Sequence, residues 1–493
     1  MPRPHTSLRW PHAVALVCLA GALAAGAAHP LAPWVAWVAV VALAGAVAWR
    51  PPLLAFLVPA LLPVASLMPW TGWWLLEEAD LLVLAVAAGG YARWPGAAGP
   101  APSRQGVALW GLAAGLLVVG VWRGWTDAVA LHGAVTLDAL QALHADHGSA
   151  WNTLRVSKAW LWCLLLAPLW ARTGPRGGVW LARGMVAGLA LVCAGVLWER
   201  ALLVGLFDVD RVYRTTAWFW EMQVGGGAID MFLAMALPFA LWAVWTARGT
   251  WWRAGALVLW WLAVYAVLTT FSRGIALAAL FLLAWMAWAA WRWPPRPALP
   301  ATRSRATLLL VLLAVVLQTV WVVGAGQLGQ RLERSDVDLR QRLAHWQAGL
   351  GLMDGAADTL LGVGAGRWPA RYAAQVPGGE LPGRAAVVPG PTGGGLRLSG
   401  PASRADLAGR WTVAQRVGHL SADSHRVRAR LSGTPGAALQ VALCERHLLD
   451  DLGCRWHALP VDASGEAGWQ TVSLTPPHTA SGGAGRWSLG VLQ

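Results

Sequence analysis

The sequence predicts a polytopic α-helical membrane protein with about eleven spans, carrying an extracytoplasmic β-sandwich (jelly-roll-like) domain. Three observations predict it. Of 493 residues, 57% are hydrophobic and only 13% charged, where a soluble domain carries about 25% charged residues. Apolar runs long enough to cross a bilayer recur from near His12 to residue 325. Beyond residue 395 they give way to short alternating runs between turn residues, the pattern of strands in a sandwich.

The candidate spans lie at 12–28, 31–49, 52–68, 73–91, 105–122, 156–171, 178–198, 226–246, 252–270, 272–291 and 306–325. The first run has the length of a signal peptide. Another follows at once, so it reads as a span. The third and fourth are interrupted by Pro63, Pro69 and the acids Glu77, Glu78 and Asp80.

Charge gives the direction. The formal net charge is +14, almost all of it arginine, with Lys158 the single lysine. A basic balance suits nucleic acid, but these arginines fall in alternate short loops. Arg3 and Arg9, Arg50, Arg93 and Arg104, Arg172 and Arg176, Arg248 and Arg253, and Arg292 to Arg305 form one set. The other set holds Asp127, Asp138, Asp146, Glu199, Asp208, Asp210 and Glu221. Basic loops stay cytoplasmic. The N-terminus is therefore expected inside, and residues 123–155, 199–225 and 326–493 outside.

Within this frame Arg273 heads the tenth span from its outer end. A charge costs about 2.5–3.5 kcal/mol at the bilayer centre and less at an interface, so its retention asks for a role. Residues 326–375 read as an outer amphipathic helix followed by a Gly-rich loop. Leu339, Leu343, Trp346, Leu350 and Met353 form one helical stripe, with Arg340, Arg342 and His345 flanking or opposing it. That pattern by itself reads as a helix lying along the membrane. Gly362, Gly364 and Gly366 alternate. Such a run lets backbone approach a phosphate or sugar, although in a chain with 56 glycines it reads first as a turn after a helix.

Residues 376–395 are rich in Gly and Pro and read as a linker. Residues 396–493 follow as the sandwich, with strands expected at 411–417, 425–431, 438–444, 454–461, 469–475 and 486–492. Five cysteines are present. Cys18, Cys163 and Cys193 lie in spans as packing residues. Cys444 and Cys454 flank a turn-like segment in a compartment that permits disulfides, and are expected to be bridged. His447 and His457 lie near them in an order that matches no zinc pattern, so no metal is expected.

Three stretches carry a resemblance. They are Phe271-Ser272-Arg273-Gly274 opening a span from outside, Arg342 four residues before Trp346 and followed by Gly362-Val363-Gly364-Ala365-Gly366, and the loop-and-span entry of residues 215–240. Together they resemble the O-antigen ligase and polymerase superfamily of bacterial inner-membrane glycosyltransferases, over roughly residues 150–375. The resemblance implies transfer of a glycan from an undecaprenyl-pyrophosphate carrier to an acceptor hydroxyl on the periplasmic face, without metal or other cofactor. The acceptor it implies is lipid A core or a growing polysaccharide; protein glycosylation has the same sequence features. Arg273 and Arg342 take the family's pyrophosphate-contacting role. A guanidinium grips phosphate oxygens bidentately and keeps its charge at an interface. Arg211, Arg214 and Arg340 are further substrate-binding candidates, as are Gly364 and Gly366. Arg211 and Arg214 read equally as ordinary loop arginines.

One departure stands out. The family has a histidine in its large outer loop, proposed to activate the acceptor. Here His419, His425, His447, His457 and His478 all lie in or between expected strands. The sequence stops inside an alternating strand at Val491-Leu492-Gln493. The expectation is a truncated member that transfers little by itself; the other reading is a protein that works without that histidine. The alternative function is a non-catalytic one, polysaccharide export or glycan binding. A transporter places charges deep within several spans, whereas these gather at outer ends.

Overall fold

The computed structural model describes residues 10–27, 29, 33–66, 76–94, 103–132, 149–210, 213–219, 227–292, 301–324, 335–375, 384–390, 393–399, 415–418, 425–434, 438–447, 450–460, 468–474 and 488–492. The chain forms two compact units, Met1–Pro401 and Ala402–Gln493.

Every apolar run of the first unit is a helix: α1 (Trp10–Ala27), α2 (Pro33–Trp49), α3 (Leu53–Ala65), α4 (Glu78–Ala92), α5 (Arg104–His132), α6 (Ala150–Ala171), α7 (Pro175–Leu203), α8 (Ala228–Thr246), α9 (Thr250–Thr269), α10 (Arg273–Arg292) and α11 (Ala301–Gly324). Three shorter helices follow: α12 (Ser335–Gly351), α13 (Gly355–Leu361) and α14 (Trp368–Gln375).

The expectation of eleven spans is corrected to a coarser statement. Among the described residues five helices are long and apolar enough to cross a membrane, namely α1 and α5, α7, α8 and α9 over most or all of their lengths. α2, α3 and parts of α10 and α11 are shorter apolar helices. At 1.5 Å per residue, α3 with 13 residues and α4 with 15 reach only about 20 Å, short of a hydrocarbon core of about 30 Å. α4 is instead an interior element, buried without a break from Asp80 to Tyr91.

Close backbone contact explains the packing. Gly184 and Gly188 on α7 are spaced as a small-residue interface. A Cβ on them would stand 2.4 Å from the Phe56 carbonyl oxygen and 2.3 Å from that of Pro59, so α3 lies directly on α7. Gly89 of α4 meets the Ala44 carbonyl of α2 in the same way. One core joins α1, α2, α4 and part of α6 around Cys18, Val40, Val86 and Leu169. A second joins α7 to α11 around Leu189, Leu233, Trp260 and Ala314. Trp260, 1% exposed, donates its indole N–H to the Val311 carbonyl at 3.1 Å. Outside these cores the helices present apolar residues such as Leu109, Trp122, Phe281 and Leu309. Large apolar outer faces suit lipid.

At the arginine-bearing ends, the Arg172 guanidinium lies 3.8 Å over the Trp94 ring, and Trp94 stacks on Tyr91 at 5.2 Å. At the acid-bearing ends, His29 meets Glu78 at 3.2 Å. There Lys158 bridges Glu77 and Asp80 at 3.0 and 2.9 Å, and Asp80 accepts the Trp162 indole N–H at 2.6 Å.

Inside and just past the stretch expected as linker, β1 (Arg384–Gly390) pairs antiparallel with β2 (Gly393–Ser399). The second unit holds β3 (Gln415–Gly418), β4 (His425–Leu431), β5 (Ala438–His447), β6 (Asp450–Pro460), β7 (Gly468–Leu474) and β8 (Ser488–Leu492). They make a four-stranded antiparallel sheet of order β3-β8-β5-β6 and a two-stranded sheet β4-β7. Among the described residues these sheets are smaller than the roughly seven strands of a full sandwich. Val441, Leu443 and Leu459 of one sheet share a core with Leu474, Val427 and Val472 of the other. In β4 the residues Val427, Ala429 and Leu431 are half-buried, while Arg426, Arg428 and Arg430 are exposed. Cys444 and Cys454 face each other in the β5–β6 register and are joined by a disulfide.

Candidate functional site

Two further groups of polar residues stand at the acid-bearing ends of the first unit. The first is built on Glu199 and Arg200, consecutive in the last turn of α7 and 1% and 0% exposed. Charged groups buried this deeply need partners, and residues 204–217 supply them. The Glu199 carboxylate accepts from the Thr216 amide at 3.0 Å, the Ala217 amide at 2.6 Å and the Tyr213 hydroxyl at 2.7 Å. Arg200 donates to the Gly205 carbonyl at 3.3 Å and to that of Asp208. The loop crosses to α9, where the Thr215 amide donates to the Thr269 carbonyl at 3.3 Å.

This loop positions Arg214. Its Nε donates to the Thr270 carbonyl at 3.0 Å, in the turn that leads into α10. Three residues on, half-buried Arg273 opens that helix. Between them Phe271 is buried at φ +50°, a left-handed conformation that is costly for a bulky residue. Thr270 holds the turn by accepting from the Ser272 amide at 3.3 Å and donating to the Val267 carbonyl at 2.9 Å. Two of the sequence candidates therefore meet one turn: Arg214 bonds to its Thr270 carbonyl from the neighbouring loop, and Arg273 follows it at the head of α10. Arg211 lies outside the described residues.

The same loop ends on α8, where Phe219 contacts Phe232 at 5.8 Å between ring centroids. Two residues nearer the start of α8 is Asp230, 7% exposed. Both its carboxylate oxygens are buried without a hydrogen-bond partner among the described residues. Sequence reasoning missed Asp230, because an acid in the first turn of a helix reads as complementing the helix dipole.

The second group docks α13 and α14 onto α5. The helix α5 runs ten residues past the predicted end of its span, so Arg123 and Asp127 stand on a helix rather than in a loop. Arg367, wholly buried, donates to Asp127 at 2.6 Å. Arg371 donates to Asp358 at 2.6 Å, and Arg123 pairs with the same carboxylate. Gly364 and Gly366 adopt φ +100° and +73°. A Cβ on Gly364 would stand 2.7 Å from the Gly124 amide nitrogen, and one on Gly366 2.9 Å from Asn152 Nδ2. The Ala365 amide donates to the Gly120 carbonyl, and Asn152 donates to the Gly366 carbonyl, both at 2.9 Å. Contact with α5 and α6 thus accounts for both glycines.

Arg371, the Asp354 amide and Arg123 together hold the Asp358 carboxyl below the usual carboxylate range. A depressed folded value contributes stability above the unfolded one, near 4, which is lost as pH falls through the folded value. Docking of α13 and α14 is expected to survive at pH 4 and to loosen only below it. Asp358→Asn should loosen it already at pH 7. Hydrogen exchange over residues 355–375 across this pH range checks both.

The remaining arginine candidates lie on α12. Its Gly349 rests on Trp368, since a Cβ there would stand 2.1 Å from the indole Cη2. An open cleft of about 770 Å³ between α12 and α14 is lined by Gln341, Arg342, Ala344, His345, Ala348 and Tyr372. His345 and Tyr372 have ring centroids 6.2 Å apart. Arg340 is exposed and is not part of the lining. The stripe residues Leu339, Leu343, Trp346 and Leu350 are 43–66% exposed. Among the described residues no hydrogen bond or ion pair joins Arg342 to the Arg214–Arg273 turn, and no group of His, Cys, Asp and Glu has the arrangement of a metal site.

No protein-family model, curated protein or solved structure matches the chain.

Proposed function

We propose that this protein transfers a glycan from an undecaprenyl-pyrophosphate-linked donor to an acceptor hydroxyl, at the extracytoplasmic face of a bacterial inner membrane. The observation that carries this reading is Arg273 at the head of α10, with Arg214 of the neighbouring loop bonded to the Thr270 carbonyl in the turn before it, at the acid-bearing end of the helix bundle. Two guanidiniums at the mouth of an apolar bundle suit a pyrophosphate whose lipid tail stays in the membrane. Negative charge grows on that pyrophosphate as the glycan leaves, and fixed cations stabilise it. In this reading all eleven apolar helices belong to the membrane domain, with the acid-bearing ends outside. The cleft of Arg342, His345 and Tyr372 lies on the same side and takes glycan, a polar chain suited to an open, mixed lining. The C-terminal unit is a β-sandwich on that side too.

Export is the weaker reading. The buried charges Asp80, Glu199, Arg200 and Asp230 fall at helix ends, and all but Asp230 are occupied with the neighbouring helix or loop. They do not line a path through the bundle.

Binding of undecaprenyl pyrophosphate to the full chain in nanodiscs tests the reading. Arg214→Ala and Arg273→Ala are each expected to weaken it about tenfold, the worth of one charge-assisted contact. Undecaprenol, which lacks the pyrophosphate, should not compete. Equal binding of the two lipids removes the pyrophosphate role.

A further inference from the structure

We propose that Asp230 is the base of the transfer reaction, accepting the proton of the acceptor hydroxyl. The inference rests on the transfer reading above and names a residue for a step that reading left open.

Four acids are buried among the described residues: Asp80, Glu199, Asp230 and Asp358. Three are fully engaged. Asp80 has Lys158 and Trp162, Glu199 has the 213–217 loop, and Asp358 has two arginines and the Asp354 amide. Asp230 alone has two oxygens without a partner among the described residues. An unmatched buried carboxylate is costly and tends to be replaced unless it meets something during function. A carboxylate is an acceptor only. The partner it lacks is a donor such as a hydroxyl, or a cation.

Position selects the hydroxyl. Asp230 stands in the first turn of α8, a helix that packs on both α9 and α10. The loop that sets Arg214 on the Thr270 carbonyl ends against Phe232 of α8. Asp230 and the two arginines are thus placed at the same ends of three contacting helices. Among the described residues Asp230 makes no ion pair with either arginine, so it remains available when both cations face a pyrophosphate.

The step balances with these groups. The acceptor oxygen attacks the anomeric carbon and forms the new glycosidic bond. The bond from that carbon to the pyrophosphate oxygen breaks, and its electron pair leaves with undecaprenyl pyrophosphate beside Arg214 and Arg273. The hydroxyl proton passes to Asp230 and from there to water.

The test is transfer by the full chain in nanodiscs, from an undecaprenyl-pyrophosphate-linked oligosaccharide to a free oligosaccharide acceptor. Asp230→Asn is expected to lower kcat by about 10²–10⁴-fold, the usual contribution of a general base. Binding of undecaprenyl pyrophosphate should stay within about twofold. Asp230→Glu should restore part of the rate. Asp230→Asn with near wild-type kcat overturns the proposal while leaving the transfer reading standing. If Asp230→Asn fails to fold, Asp230→Ala with small carboxylates such as formate or acetate added decides, and a rate that added carboxylate leaves unchanged overturns the proposal. A wild-type chain that binds or turns over no donor overturns both.

Discussion

Arg273→Ala should lower glycan transfer by about 10²–10³-fold, the range seen when one preorganised donor to a developing oxyanion is removed. Arg273→Lys should recover only part of the loss, because an ammonium keeps the charge and gives up the planar fork. The expectation comes from how the residue is held. Arg273 begins α10, and the turn before it is fixed at every residue. Thr270 is bonded on both sides, Phe271 is buried at positive φ, and the Ala276 amide donates to the Ser272 carbonyl at 3.2 Å. Backbone strain of this kind persists only where the surroundings over-determine it. A guanidinium launched from such a turn loses little freedom on meeting a ligand. The positive end of α10 adds to its field at an anion. The measurement is kcat with the lipid-linked donor, beside thermal unfolding in detergent. Full activity of Arg273→Ala reduces the residue to an interfacial anchor for its helix.

Glu199→Ala should have the second largest effect, acting through the loop. It leaves the Thr216 and Ala217 amides buried without acceptors. Each unsatisfied buried donor costs about 1–3 kcal/mol, so the loop should lose roughly 2–6 kcal/mol of local stability. Glu199→Gln should fail almost as badly, since its amide nitrogen is a donor pointed at donors. Limited proteolysis within residues 204–219 should become fast in both variants. Donor binding should weaken with it, because Arg214 is carried by this loop. A protected loop in Glu199→Ala contradicts the account of how Arg214 is positioned. Loss of binding with the loop still protected contradicts it as well.

The helices were legible because burial in lipid needs runs of apolar residues, and each predicted run is a helix. Where each helix ends was less legible. Arg123 and Asp127 continue α5, because their charges are taken up by Arg371, Asp358 and Arg367 from more than 200 residues further along the chain. Hydropathy places such residues in a loop; only the long-range partner makes them helical and half-buried. The strands of the C-terminal unit were legible from alternation in HRVRARL, since one face must pack and the other meet water. Their assembly into two sheets depends on pairings, β3 with β8 among them, that local pattern does not encode.

Sequence pattern singled out Arg273 because a charge at the head of an apolar run stands out. It could not tell that Arg214 reaches the turn before it, or that Gly364 and Gly366 are needed for contact with α5 and α6. Asp230 was passed over for a physical reason. What distinguishes it from an ordinary first-turn acid is the lack of partners, and that is a property of the surroundings rather than of the residue. The search for a base among histidines went to the strand-rich region, whereas the unmatched acceptor lies in the helix bundle.

The most direct test of the central claim is turnover. The full chain in nanodiscs is given an undecaprenyl-pyrophosphate-linked oligosaccharide labelled in the sugar, with oligosaccharide or lipid A core as acceptor, in the absence of divalent metal. The account predicts one undecaprenyl pyrophosphate released for each labelled glycan joined to acceptor, and loss of both products in Arg273→Ala. Donor bound in an Arg273-dependent way but never cleaved would contradict it and would make the protein a carrier or binder of the lipid-linked glycan.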